Sequence, residues 1–360
     1  MGVENGRGGE LCTLCREREV DRAESGASCL CADCRAERIR LRTPRWVEFV
    51  ILTVCILAVY AVRQTPSALR EARAKELGDA HFAAREYLYA YQQYAPLLAG
   101  HSRNLALAAQ TMDAAIKAQW FGDAYGVLEE HLVDRTLSDE MYRKLDPDAQ
   151  FLFRFVNTYA ALAEGWGSVP VDEDADPEET RMRYEALLHQ LLEDPEAEKA
   201  YLYYHLAFVQ ADSAEYERYM RLASEADPRV TYPLAFLGNA RRSLGYMEEA
   251  RALYARALEH NALDAGALRG QGIMLMIEGM KEEGLAMIRQ AYSLEPLMQW
   301  MPEALYIALL ESGLDEEADA IRQIAEQSGY AFDHDGRVAG YTGGEVTVAE
   351  YYVQPEEESL

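Results

Sequence analysis

The alternation of apolar and polar positions divides the chain into one continuous apolar run and a long series of amphipathic stretches. Residues 46–62, WVEFVILTVCILAVYAV, carry a single charge at Glu48. As a helix this run rises about 25 Å, the short end of what a bilayer core requires, so it reads as a transmembrane helix. Trp46 suits the interface, and Glu48 is near enough to the end to reach headgroups. A buried core helix is the competing reading, but nothing nearby supplies a second apolar layer. Cleavage after Ala61 is another, and the long segment ahead of the run favours a retained signal anchor over a cleaved leader. Thr65-Pro66 is expected to end this helix and open the next.

From about Ser67 to Tyr330, apolar residues recur at helical spacing and predict consecutive amphipathic helices. Within them runs a period of 34. Gly245, Gly279 and Gly313 keep it, as do Ala250, Gly284 and Ala318, and again Ala257, Ala291 and Ala325. Each Gly precedes an acidic helix entry: GYMEEA, GMKEEG and GLDEEA. Glycine supplies the left-handed residue that a helical hairpin needs after its first helix. The other small positions mark where two helices cross closely, Gly238 and Gly272 facing Ala250 and Gly284. Glu pairs suit the positive end of the second helix. One hairpin cannot bury its own apolar face, so neighbours must stack.

These residues resemble the tetratricopeptide repeat, whose length is 34 and whose small positions fall at these offsets. The resemblance implies a mainly α fold, an α-solenoid of antiparallel helix pairs. The best units are 231–264, 265–298 and 299–332, preceded by 197–230, which keeps Ala223 and Pro228. Repeats of this type therefore cover 197–332, and degenerate helical repeats cover 66–196. In the latter, LGDAHFAAREYLYAYQQYAP and WFGDAYGVLEEHL read as second helices of the same kind. The chain departs from the family at Leu234, Leu268 and Pro302, where an aromatic is usual, and at Tyr306, a small position.

In that family the first helix of each unit lines a concave face. Carrying the offsets across places Tyr201, His205, Phe208 and Tyr232 in a partner-binding groove, followed by Asn239, Arg242 and Arg269, then Ile273, Met276, Trp300 and Ile307. Several of the apolar ones serve equally well as inter-repeat core. Asn239, Arg242 and Arg269 form a positive strip, which points to an extended peptide with an acidic side chain or a terminal carboxylate. Ala235 stands where chaperone-binding repeats carry a Lys, so chaperone binding is not expected. The implied function is protein–protein interaction, a scaffold for complex assembly.

Two stretches break the helical pattern. VDEDADPEE carries Asp172, Asp174 and Asp176, but Pro177 and Arg183 stand where a calcium loop wants Gly and Glu, so it reads as a solvated acidic loop. Residues 333–360 read as short strands and an acidic tail, with Asp335-Gly336 as a hairpin turn.

Charge and cysteine placement add chemistry. The net charge is −26, yet residues 1–62 hold nine Arg and nine Asp/Glu, so the whole acidic excess lies beyond them. Such a body repels nucleic acid and anionic lipid. Five of the six cysteines lie between Cys12 and Cys34. A disulfide framework would spread through the fold it staples. After a Gly-rich, disordered segment over 1–10, residues 11–34 hold Cys12-x2-Cys15 and, fifteen residues on, Cys31-x2-Cys34. Paired knuckles at that spacing can set four thiolates around structural Zn2+. The segment resembles a small zinc ribbon, with Arg16 and Arg35 where Gly commonly follows each knuckle. Cys29 is a spare that can replace Cys31 as ligand or react with oxidants, which opens an alternative reading as a thiol- or zinc-based membrane sensor.

Arg35–Arg45 is a basic juxtamembrane stretch suited to anionic lipid headgroups. Free thiolates suit the cytosol and a cysteine-free body suits export, so a single-pass protein with a cytoplasmic N-terminus and an extracytoplasmic body is expected. No HExxH, GxSxG or GxxxxGK[ST] occurs, no pair of His stands at metal spacing, and no enzyme is expected. No small-molecule substrate is inferred.

Overall fold

Glycines at a strict spacing set the turns of the repeat region. In the computed structural model, which describes residues 10–21, 29–39, 45–167, 176–210, 212–332 and 336–354 (61–66 by backbone alone), Gly245, Gly279 and Gly313 have φ of +85°, +82° and +72°. The amide three residues past each first helix closes onto a carbonyl five residues back: Tyr246 to Arg241 at 2.8 Å, Met280 to Leu275 at 2.9 Å, Leu314 to Leu309 at 2.9 Å. That bond satisfies a helix-end carbonyl, and it requires the left-handed residue that Gly adopts without a Cβ clash.

The chain divides into two units, 1–70 and 71–360. The first contains α1 (Ala32–Ile39) and most of the apolar part of α2 (Arg45–Ala83). Leu11 and Glu19 form an isolated antiparallel bridge. The expected span over 46–62 falls on α2, where the described large apolar side chains from Trp46 to Tyr60 are exposed except half-buried Val47, Phe49 at 70% and Val59 at 69% among them. Among the described residues no helix is long and apolar enough to cross a membrane. The side chains described from Arg45 to Tyr60 correspond to a rise of about 24 Å, against a hydrocarbon core of about 30 Å. The expected helix boundary at Thr65-Pro66 is corrected: α2 runs through it, at the cost of one backbone hydrogen bond in a helix of 39 residues.

The second unit is a stack of helices. It runs from the end of α2 through α3 (Tyr87–Gly100), α4 (Leu105–Lys117), α5 (Phe121–His131), α6 (Asp139–Gly167), α7 (Pro177–Leu192), α8 (Lys199–Phe208) and α9 (Ser213–Ala226). Three regular pairs follow: α10 (Tyr232–Ser243) with α11 (Met247–His260), α12 (Ala265–Ile277) with α13 (Lys281–Leu294), and α14 (Met301–Glu311) with α15 (Asp315–Gln327). The second helices begin at 247, 281 and 315, each 34 residues after the last. Two earlier second helices keep the same interval, α3 beginning at 87 and α5 at 121. Their turns use Arg85 at φ +62° and Gln119 at φ +65° in place of Gly.

Close crossings sit at small residues. A Cβ on Gly272 would meet the Gly284 carbonyl at 2.9 Å, and one on Gly238 would meet the Tyr254 ring at 2.5 Å. The core continues from α3–α6 through α6–α10 into α10–α15 as successive apolar clusters. Contacts also bridge distant helices. The Arg85 carbonyl accepts from the Ala262 amide at 3.1 Å, and its guanidinium donates to the Glu259 carbonyl at 2.8 Å. The Gln119 amide donates to the Arg229 carbonyl at 2.6 Å and accepts from the Thr231 amide at 2.9 Å. Arg229 in turn donates to the Pro147 carbonyl at 2.7 Å.

The expected strands over 333–360 are corrected. The described part holds α16 (Arg337–Thr342) and α17 (Val348–Tyr352), and no strand occurs among the described residues. Thr347 and Glu350 form a reciprocal capping box that starts α17. Tyr306, at its expected small position, meets Phe332 edge-on at 5.3 Å, so the C-terminal segment covers the side chain. The proposed turn at Asp335, the loop carboxylates Asp172 and Asp174, and the 1–9 and 355–360 segments lie outside the described residues. Asp176 caps α7, its carboxylate accepting from the Glu178 amide.

Candidate metal centre and partner groove

Four cysteines are drawn together by two local devices. At the first pair, the Cys12 amide donates to the Arg18 carbonyl at 2.7 Å and the Arg16 amide to the Cys12 carbonyl at 2.9 Å. Arg16 takes φ +55°, the left-handed conformation that a knuckle usually gives to Gly. The second pair is spaced differently. Cys31 precedes α1 and Cys34 lies in its first turn, so helix geometry and not a second hairpin spaces the two thiols. The Thr13 amide donates to the Cys29 carbonyl at 3.0 Å and ties the two halves together.

All four sulfurs lie within 4.8 Å of one another. Cys15 and Cys31 Sγ are 3.8 Å apart, far beyond a disulfide bond and equal to the edge of a tetrahedron with Zn–S bonds of about 2.3 Å. The backbone amide hydrogen bond at Cys15 lowers the Cys12 thiol to about 6, while a hydrogen bond with Cys31 and burial push Cys34 up to about 12. Four thiols at this spacing can give up their protons to a divalent cation that prefers sulfur. Cys29 stands apart, exposed and outside the cluster, its carbonyl rather than its sulfur engaged.

In the second unit the residues placed by repeat offsets separate into three groups. Phe208, Asn239, Arg242, Arg269, Ile273 and Trp300 line one cavity of about 500 Å³, together with Phe236, Glu303 and the C-terminal residues Tyr351, Tyr352 and Gln354. Tyr201 and Tyr232 line a second, of about 380 Å³. Met276 and Ile307 are 2% and 1% exposed, packed among Leu285, Ile288 and Leu309, and line neither. His205 packs on the Tyr201 ring at 4.5 Å and shares a hydrogen bond with the Tyr184 hydroxyl. Burial lowers it to about 4, so it is neutral near pH 7.

Arg242 and Arg269 are 8% and 4% exposed, yet neither pairs with a carboxylate among the described residues. Arg269 donates to the Gln299 carbonyl, and Arg242 Nε donates to the Tyr254 hydroxyl at 3.4 Å. Burial and the neighbouring Arg242 charge lower the pKa of Arg269. Sequence offsets did not include the C-terminal segment that forms one wall. Arg242 donates to the Tyr352 carbonyl at 3.3 Å and lies 5.0 Å over its ring, and the Gln354 amide donates to the Ser243 carbonyl at 2.6 Å. The Tyr352 hydroxyl is buried without a partner among the described residues.

These elements make the second unit a solenoid-like stack of helix pairs with a cavity bounded by α8, α9, α10, α12, α14 and the C-terminal helices. No family model matches the chain, and no curated protein sequence does. Among solved structures, a MamA structure (AMB-1) is similar at 16% identity and a TM-score of 0.28, covering 53% of this chain and 98% of that one. Yeast Tom70 is similar at 15% identity and a TM-score of 0.33, covering 72% of this chain and 62% of the Tom70 chain.

Proposed function

We propose that this chain is a membrane-tethered helical-repeat scaffold that holds a protein partner along the first helices of its solenoid, with Zn2+ as the core of its N-terminal thiolate unit. The observation that carries the partner reading is the cavity around Arg242 and Arg269. A buried guanidinium without a counter-charge is costly, and a ligand carboxylate supplies one. Phe208, Phe236 and Trp300 beside it offer the aromatic anchors that dominate peptide interfaces. Photo-crosslinking side chains at Phe208 and Trp300, with Leu69 as the control, test it in cells. Crosslinks to one discrete protein from both groove positions, lost in Arg242→Glu, are expected. Equal crosslinking from Leu69, or no loss in Arg242→Glu, overturns the reading.

The tether reading rests on the exposed apolar face of α2 over Trp46–Tyr60, which finds no cover among the described residues of its own unit. Cytosolic thiolates and headgroup contacts by the arginines of 35–45 follow from it. A tag after Leu360 on intact cells (or spheroplasts) checks the topology: protease is expected to remove the tag while sparing the N-terminal segment. Protection of the tag until lysis places the solenoid in the cytosol and sinks the extracytoplasmic assignment.

A further inference from the structure

The cavity of about 380 Å³ is bounded by residues far apart in sequence: Trp120, Phe121 and Phe155 from the early helices, Tyr201 and Tyr204 from α8, Tyr232 and Phe236 from α10. Seven aromatic rings therefore surround it. Tyr204 meets Tyr232 at 4.7 Å and Phe236 at 5.5 Å, and Phe155 meets Tyr201 at 5.1 Å, all edge-to-face. In such a contact one ring gives only its edge, so its electron-rich faces stay free for another partner. The Tyr201, Tyr204 and Tyr232 hydroxyls donate to no described residue.

The charged residues of the lining are Asp264 and Glu295, and it holds no Lys, Arg or His. Neither acid forms an ion pair among the described residues. Asp264 is 8% exposed, and its Oδ1 caps α12 through the Ala267 amide at 2.8 Å. Burial pushes its carboxyl up to about 6 and raises Glu295 as well. The Arg269 charge offsets part of each shift without forming an ion pair with either acid, so burial outweighs it. An anion meets two like charges in this cavity, and a neutral apolar ligand strips water from two carboxylates without replacing it. A cation with an apolar stem satisfies both the acids and the ring faces.

We infer that this cavity is a cation site that takes the lysine or arginine side chain of a bound peptide. The cation chemistry stands on the cavity alone, while its source in a peptide rests on the groove reading above. The partner segment would then carry a basic residue at this cavity and an acidic one at Arg242 and Arg269, with Phe236 lining both.

The test uses choline and its uncharged isostere 3,3-dimethylbutan-1-ol against the full chain, read by tryptophan fluorescence with Trp120→Phe as the reporter control. Choline is expected to bind at least tenfold more tightly than the isostere. Asp264→Asn keeps the helix cap and is expected to weaken choline at least fivefold, with Glu295→Gln additive to it. Equal affinity for the two probes, or no choline binding, overturns the cation site. Blocked lysine amide against blocked norleucine amide then identifies the source. Preference for lysine is expected, and choline binding without lysine binding overturns the peptide source while leaving the cation chemistry standing.

Discussion

Chelation of the purified chain is expected to unfold residues 10–39 while leaving the helical repeats intact. The described part of this segment buries two apolar-class residues, Cys12 and Cys31, and both are metal-ligand candidates. A unit of that size cannot draw enough stability from apolar burial, and structural zinc in comparable peptides contributes about 10–16 kcal/mol at neutral pH. One metal per chain is expected, lost on Cys12→Ser, Cys15→Ser, Cys31→Ser or Cys34→Ser and kept on Cys29→Ser. Binding requires thiolates, so protons compete: affinity falls with pH from the Cys34 value of about 12 downward and falls most steeply below the Cys12 value of about 6, and it never rises on acidification. Amide hydrogen exchange over 10–39, before and after chelation, reads the unfolding directly. Undiminished protection without metal, or a Cys29→Ser loss equal to that of Cys12→Ser, contradicts the four-thiolate site.

Truncation of Tyr254 to Ala is expected to cost about 3–5 kcal/mol, the range for large buried aromatics. The side chain is 0% exposed and occupies space left by two glycines. A Cβ on Gly238 would meet its ring at 2.5 Å, and one on Gly270 would overlap its outer edge. Its hydroxyl donates to Asn239 Oδ1 at 2.8 Å and accepts from Arg242. Truncation therefore opens a cavity between α10 and α12 and strips two polar groups of the partner that orients them. Tyr254→Phe keeps the ring and is expected to cost about 1 kcal/mol. Urea denaturation of the three proteins separates packing from hydrogen bonding. If Tyr254→Ala and Tyr254→Phe unfold at the same midpoint, the ring is not the keystone of this crossing.

The repeat was legible wherever chemistry left one option. A turn residue at φ near +80° favours Gly strongly enough that three glycines 34 apart announce the hairpins. Arg85 and Gln119 take the same conformation without Gly, so the upstream pairs hide their register although their second helices begin 34 residues apart. Arg16 likewise takes the left-handed place of a knuckle Gly, yet the cysteine spacing still gave that knuckle away. The candidate metal ligands were readable because thiolates must converge from short spacings, but the helix at Cys34 was not, since a CxxC fits either a hairpin or a helix end.

Groove positions proved harder to read. Helical offsets name a face and not its cover, so Met276 and Ile307 stand one repeat after Arg242 and Ile273 yet line no cavity and pack into the core. The C-terminal helices eluded periodicity because five or six residues complete barely more than one turn. The Thr347-x-x-Glu350 capping box was their available signal. The aromatic cavity joins Trp120 and Phe155 to Tyr232 and Phe236, and no local pattern can announce such a meeting.

The bridging contacts of Arg85, Gln119 and Arg229 change how this array comes apart. A stack that joins only neighbours frays from its ends, each pair leaving at small expense to the rest. Here the turn before α3 is bonded to the turn before α12, and the turn before α5 to the one before α10. Loss of an early pair uncaps a later one, so melting spreads inward as a single cooperative event. Repeats that could be deleted singly from an open array are, in this chain, parts of one closed folding unit.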